Sequence, residues 1–113
     1  MTPRDMVALA GRALTGGEDW AKPLARALGV HHPDGPRDTI DPRSVSRWRT
    51  GAMEVLPWAA EALPLILREH AARLDEEIAR LEERADEMSE AATEIERELD
   101  ELQEPPEPPG PRR

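Results

Sequence analysis

Hydrophobic positions recur at helical spacing along almost the whole chain, and the breaks between the runs are marked by Gly, Pro and acidic residues. Met6, Val7, Ala10 and Leu14 supply a modest apolar face to a first helix over 3–14, closed by Thr15-Gly16-Gly17. A second helix over 20–30 carries Trp20, Leu24 and Leu28 on one face. Glu18 and Asp19 open it, at the positive end of its dipole, Pro23 is tolerable in its first turn, and Gly29 stops it. Residues 41–51, DPRSVSRWRTG, predict a third, short helix. Asp41 caps it, Pro42 suits the first helical position and Gly51 the residue just past the end. Within it Val45 and Trp48 lie three apart and face inward, leaving Arg43, Ser46, Arg47 and Arg49 on the outer faces.

After a connector at 52–56, whose Val55 is expected beneath Trp48, Pro57 opens a further helix, and Pro64 inside it predicts a kink or a restart. From there Leu67, Ala71, Leu74, Ile78, Leu81, Ala85, Met88, Ala92, Ile95, Leu99 and Leu102 alternate in steps of four and three. That is a heptad repeat, and it specifies a left-handed coiled coil. Glu69–Arg73 and Glu76–Arg80 are favourable pairs on its surface. With 71, 78, 85, 92 and 99 as the a positions, three of five are alanine, so the seam suits a modest homodimer through Leu67 to Leu102, or another protein's helix. Strand orientation is open. The flanking charges do not decide it, since in a parallel pair His70 meets Asp75 favourably and Glu77 meets Glu82 unfavourably; the parallel arrangement is the one expected, because palindromic recognition asks for it. The expected fold is all-α: a small helical domain over 1–62, an acidic oligomerisation helix over 63–104, and a Pro-rich disordered tail over 105–113.

Charge sharpens this division. The net charge of −9 belongs to one segment: residues 1–67 hold eight basic and eight acidic residues, and residues 68–104 five basic against fifteen acidic. The neutral part concentrates arginine at 43, 47 and 49 on one short helix. A helix buried on one side and carrying arginine on the other is shaped to enter a major groove.

The order of these pieces resembles a known family. LARALGV and SVSRWRTG are similar to the lambda-repressor/Cro-type helix-turn-helix domains of phage and bacterial regulators. Those commonly read A-x-x-L-G-V, a capping serine, T-[VI]-x-R-W and a glycine. The resemblance covers roughly Met6 to Trp58. It departs from the family at the turn, usually three or four residues, where His31 to Ile40 intervene; loop closure entropy grows only logarithmically, so the length is tolerable. The resemblance implies a DNA-binding transcriptional regulator, a repressor of phage or mobile-element type acting by occlusion as a coiled-coil dimer. Arg43, Ser46 and Arg47 are expected at base edges, with Ser44 beside them, and Arg49, Lys22 and Arg37 on phosphates.

The remaining chemistry is sparse. No cysteine is present, which excludes disulfides and thiolate metal sites and fits a reducing cytoplasm. The N-terminus has charges where a signal peptide needs an apolar run, and no stretch approaches a membrane span, so a soluble cytoplasmic protein without membrane contact is expected. His31 and His32 beside Asp34 and Asp38 lack the ligand spacing of a metal site, and His70 reads as an exposed flank of the seam. Nothing apolar surrounds the carboxylates of the coil to raise a pKa. No enzyme, cofactor or metal is therefore expected. Two other classes fit the same pattern: a small terminase-like DNA-packaging subunit, and a coiled-coil interaction protein that never touches DNA, binding its partner through the acidic coil or the Pro-rich tail.

Overall fold

The structure, a computed structural model, describes residues 1–103; the expected Pro-rich tail lies outside them. The fold is all-α. Four helices follow one another: α1 (Pro3–Thr15), α2 (Ala21–Val30), α3 (Pro42–Thr50) and α4 (Pro57–Gln103). The chain divides into two units, Met1–Leu74 and Asp75–Arg113. No helix among the described residues is long and apolar enough to cross a membrane.

In the first unit α1 starts from a capping box. Thr2 Oγ1 accepts from the Asp5 N–H at 3.1 Å, and Asp5 Oδ2 accepts from the Thr2 N–H at 3.1 Å. Gly16 ends the helix in the left-handed region at φ 75°, its N–H donating to the Arg12 carbonyl. The buried face of α1 is Val7, Ala10 and Gly11, with Leu14 half-buried; Met6, expected on that face, is exposed. Gly11 is needed because the Trp20 indole lies against its backbone, where a Cβ would coincide with ring atoms.

That contact explains where α2 begins. Trp20 turns in to cover Gly11, and the helix starts at Ala21, after Glu18 and Asp19 rather than with them. Trp20, Leu24 and Leu28 are fully buried. Gly29 does not stop the helix, which continues to Val30; it makes room instead. A Cβ there would lie 2.6 Å from the Arg37 carbonyl oxygen and 2.8 Å from Thr39 Cα. The loop 31–41 therefore packs directly on α2. The Arg37 N–H donates to Gly29 O at 2.8 Å and the Ile40 N–H to Ala25 O at 3.0 Å. Side chains fasten the same loop to α4: His31 Nε2 lies 3.3 Å from Glu69 Oε2, and the His32 ring packs on Trp58 with centroids 5.1 Å apart.

The first part of α4 closes the core with Ala59, Ala62, Leu63 and Ile66, so Leu63 and Ile66, assigned by the sequence pattern to the coil segment, are core residues of this unit. Val55 and Leu67 are half-buried against the same core. The helix runs without a restart through Pro64. Pro64 is exposed, and the backbone bond it removes is the one to the Ala60 carbonyl; Ala62, Leu63 and Ile66 are packed in the core around it and hold the helix. His70, expected as an exposed flank, is half-buried, with Nδ1 2.9 Å from Ile66 O.

In the second unit residues 75–103 are helical and exposed throughout. Ile78, Leu81, Met88, Ile95 and Leu99 retain 44–60 % of their surface, and Leu102 80 %.

Gly11→Ala should destabilise the first unit by ~1–3 kcal/mol, the usual consequence of overpacking a filled core. Gly17→Ala, with nothing within 4 Å of its Cβ position, should leave the thermal midpoint unchanged. Equal midpoints for the two variants would mean that Trp20 does not sit on Gly11.

Candidate nucleic-acid interface

α3 has nine residues, too few to be stable alone. Its ends and one face hold it. Asp41 Oδ1 accepts from the Arg43 N–H at 2.9 Å, and Pro42 occupies the first position, where no donor is needed. At the other end three carbonyls left over by the helix find donors. Met53 N–H donates to Arg47 O at 3.2 Å, Gly51 N–H to Trp48 O at 3.2 Å, and Arg4 Nε to Arg49 O at 2.8 Å. Gly51 takes the left-handed conformation at φ 81°. Val45 and Trp48 are buried, which fixes what faces outward.

The outward residues are Arg43, Ser46, Arg47 and Arg49; Ser44 is half-buried. The three arginines differ in what they already touch. Arg43 folds back on its own cap, with Nη2 3.1 Å from Asp41 Oδ2 and Nε 3.2 Å from both carboxylate oxygens. This hydrogen bond, reinforced by the Arg43 N–H and by the nearby charge of Arg47, holds the Asp41 carboxyl below its ordinary range. Arg49 has Nη2 3.6 Å from Glu18 and its guanidinium 5.4 Å over the Trp20 ring. Glu18 is also 2.9 Å from Arg12 Nε. Arg47 has no side-chain partner among the described residues, and so keeps all its donors available.

α2 adds to this surface. Lys22 meets Ser46 and Arg49 in a groove that also takes in Arg26. Glu18 and Asp19 line its edge, so the groove is mixed in sign. Arg37 joins a second groove instead, on the other side of α2, with Arg26, His70 and Arg73, faced by Asp38 and Glu69. Arg37 Nη2 also lies 3.8 Å from Asp34 Oδ2. Pro23 and Arg26 line both grooves. The structure thus brings together Lys22, Ser46 and Arg49, keeps Arg37 apart from α3, and adds Arg26, which sequence reasoning missed. The signal for it was present: Lys22 and Arg26 are four apart on α2, hence on one face.

Of His31, His32, Asp34 and Asp38, only His32 and Asp34 come together: His32 Nδ1 accepts from the Asp34 N–H at 3.1 Å and lies 4.0 Å from Asp34 Oδ2. His31 turns to Glu69 and the His32 ring packs on Trp58, and among the described residues no group of three His, Asp or Glu side chains is placed to hold a metal ion. No protein-family model, curated protein or solved structure matches this chain.

The Asp41 carboxylate gives α3 a pH dependence whose sign is set. A carboxyl whose pKa is lower in the folded state contributes stability above its ordinary value, here 3.8, and loses it as pH falls through the folded value. Asp41→Asn still caps the helix but lacks the charge. The variant should melt lower than the parent at neutral pH, and the gap should close as pH falls below about 3.8. A gap independent of pH would show that the Asp41–Arg43 pair is not formed.

Proposed function

We propose that this protein binds double-stranded DNA and regulates transcription, with α3 entering the major groove and two copies joined through the heptad seam. The observation that carries the reading is Arg47. It stands exposed and, among the described residues, unpaired in the middle of a capped helix whose opposite face, Val45 and Trp48, is locked into the core. A planar, five-donor side chain on a rigid helix suits bidentate recognition of a guanine edge. Ser46 and Ser44 lie beside it, and Arg43 reaches a base after release from Asp41. Lys22, Arg26 and Arg49 flank this helix on one groove and supply phosphate contacts that fix its register. On this reading Arg37 contributes from the neighbouring groove. The resemblance to phage-type repressors adds the mode of action: a dimer seated on a promoter, in the cytoplasm, excludes polymerase without any chemistry.

Selection of bound fragments from a random duplex pool tests the reading, with an enriched sequence expected. Against that sequence Arg47→Ala should lose ~1–3 kcal/mol and relax the preference at one position. Arg26→Gln should weaken all duplexes alike and reduce the slope of log affinity against log salt by about one. No enrichment, or an Arg47→Ala variant that binds as tightly and selectively as the parent, would refute the assignment of α3.

A further inference from the structure

The seam of the second unit has a size pattern that distinguishes the two ways of pairing it. Its a positions are Ile78, Ala85, Ala92 and Leu99; its d positions, Leu81, Met88, Ile95 and Leu102, are all large. In a parallel, in-register pair every residue meets its own copy. Ala85 would then face Ala85 and Ala92 would face Ala92, two underfilled layers on either side of the Met88 layer in the middle of the seam. In an antiparallel pair a positions meet d positions, so each alanine faces a large side chain in any register. Alternating large and small residues across facing positions lets the layers interdigitate.

From this pattern we infer that the seam pairs with a second copy of this chain running antiparallel. The register that overlaps residues 75–103 most fully sets Ile78 against Leu102, Leu81 against Leu99, Ala85 against Ile95 and Met88 against Ala92, each layer occurring twice.

Charge complementarity supports the same occupant. Within this unit, among the described residues, the ion pair is Arg97–Glu94, and Arg84 has no carboxylate partner. In the antiparallel register Arg84 faces Glu98 of the second copy, twice. In the parallel register it faces Ser89, and Glu77 faces Glu82 with no favourable flanking pair in the unit to offset it. The antiparallel register has its own repulsion, Glu82 against Glu96, so the two arrangements carry the same number of like-charge pairs and differ by the two Arg84–Glu98 contacts. The centre is uncharged: Ser89 and Ala91 each face their own copies across the two flanks.

The inference rests on the dimer proposed above; it reverses the parallel orientation expected from palindromic recognition, and its test does not depend on DNA. The chain has no cysteine, so single substitutions in the full protein report cleanly. Ser89→Cys should be captured as a dimer by a short bis-maleimide. Ala85→Cys should not form a disulfide, because in the antiparallel register the two copies of residue 85 are ten residues apart along the axis, ~15 Å. The reverse pattern, a disulfide at 85 and no capture at 89, would overturn the orientation while leaving the dimer standing. Sedimentation at a monomer mass, or at that of a larger assembly, would overturn self-pairing of two copies altogether. Neither result depends on DNA binding, so failure of that reading remains separately visible.

Discussion

Burial of two indoles, in a unit whose third tryptophan, Trp58, is only half-buried, is the constraint on which the first unit depends. Trp20 and Trp48 are essentially inaccessible and are its largest fully buried side chains. Each brings a polar atom inside: both Nε1 donors are buried without a hydrogen-bond partner, which costs ~1–3 kcal/mol apiece. Burial of so much apolar ring offsets this, since deleting a buried Trp typically costs ~3–5 kcal/mol. The geometry follows from the rings. Trp20 needs Gly11 opposite it, and its other surroundings include the Arg49 guanidinium; Trp48 draws the underside of α3 inward. A nine-residue helix presents a defined outer face because its ends are capped and Trp48, with Val45, holds its inner one.

What the sequence made legible is what depends on neighbours in the chain. Asp41, Pro42 and Gly51 bound α3 through interactions within a few residues, and the three-residue step from Val45 to Trp48 set its inner face. The heptads of α4 were legible for the same reason. What depends on distant partners was not. No local rule says that Gly11 receives an indole nine positions away, or that Gly29 receives loop backbone instead of ending a helix. Pro64 predicts a break because sequence alone does not say that the core holds the helix on both sides of it, through Ala59, Ala62, Leu63 and Ile66. The site divides in the same way. The outward arginines of α3 were readable from phase, whereas the meeting of Lys22 and Arg26 with Ser46, and the separation of Arg37 into another groove, are products of packing.

The charge of the molecule is organised by unit. In the first, three acids hold arginines in place: Asp41 holds Arg43, Glu18 lies between Arg12 and Arg49, and Asp34 meets Arg37. Among the described residues Arg47, on the outer face of α3, has no such partner. Residues 75–103 carry thirteen acids and three arginines, so two such helices brought together repel along their flanks, and salt should tighten their association rather than loosen it.

The loop between α2 and α3 has a further consequence. Its two ends are tied to α2 through Gly29 and Ala25, while its tip turns at Gly35, at φ 118°, between exposed Pro33 and Pro36. The packing of α2 on α3 is thereby insulated from the number of residues at the tip. Such a segment tolerates grafting: it can be lengthened, shortened or recoded, and an engineer can insert an epitope there, without retuning the helix pair beneath.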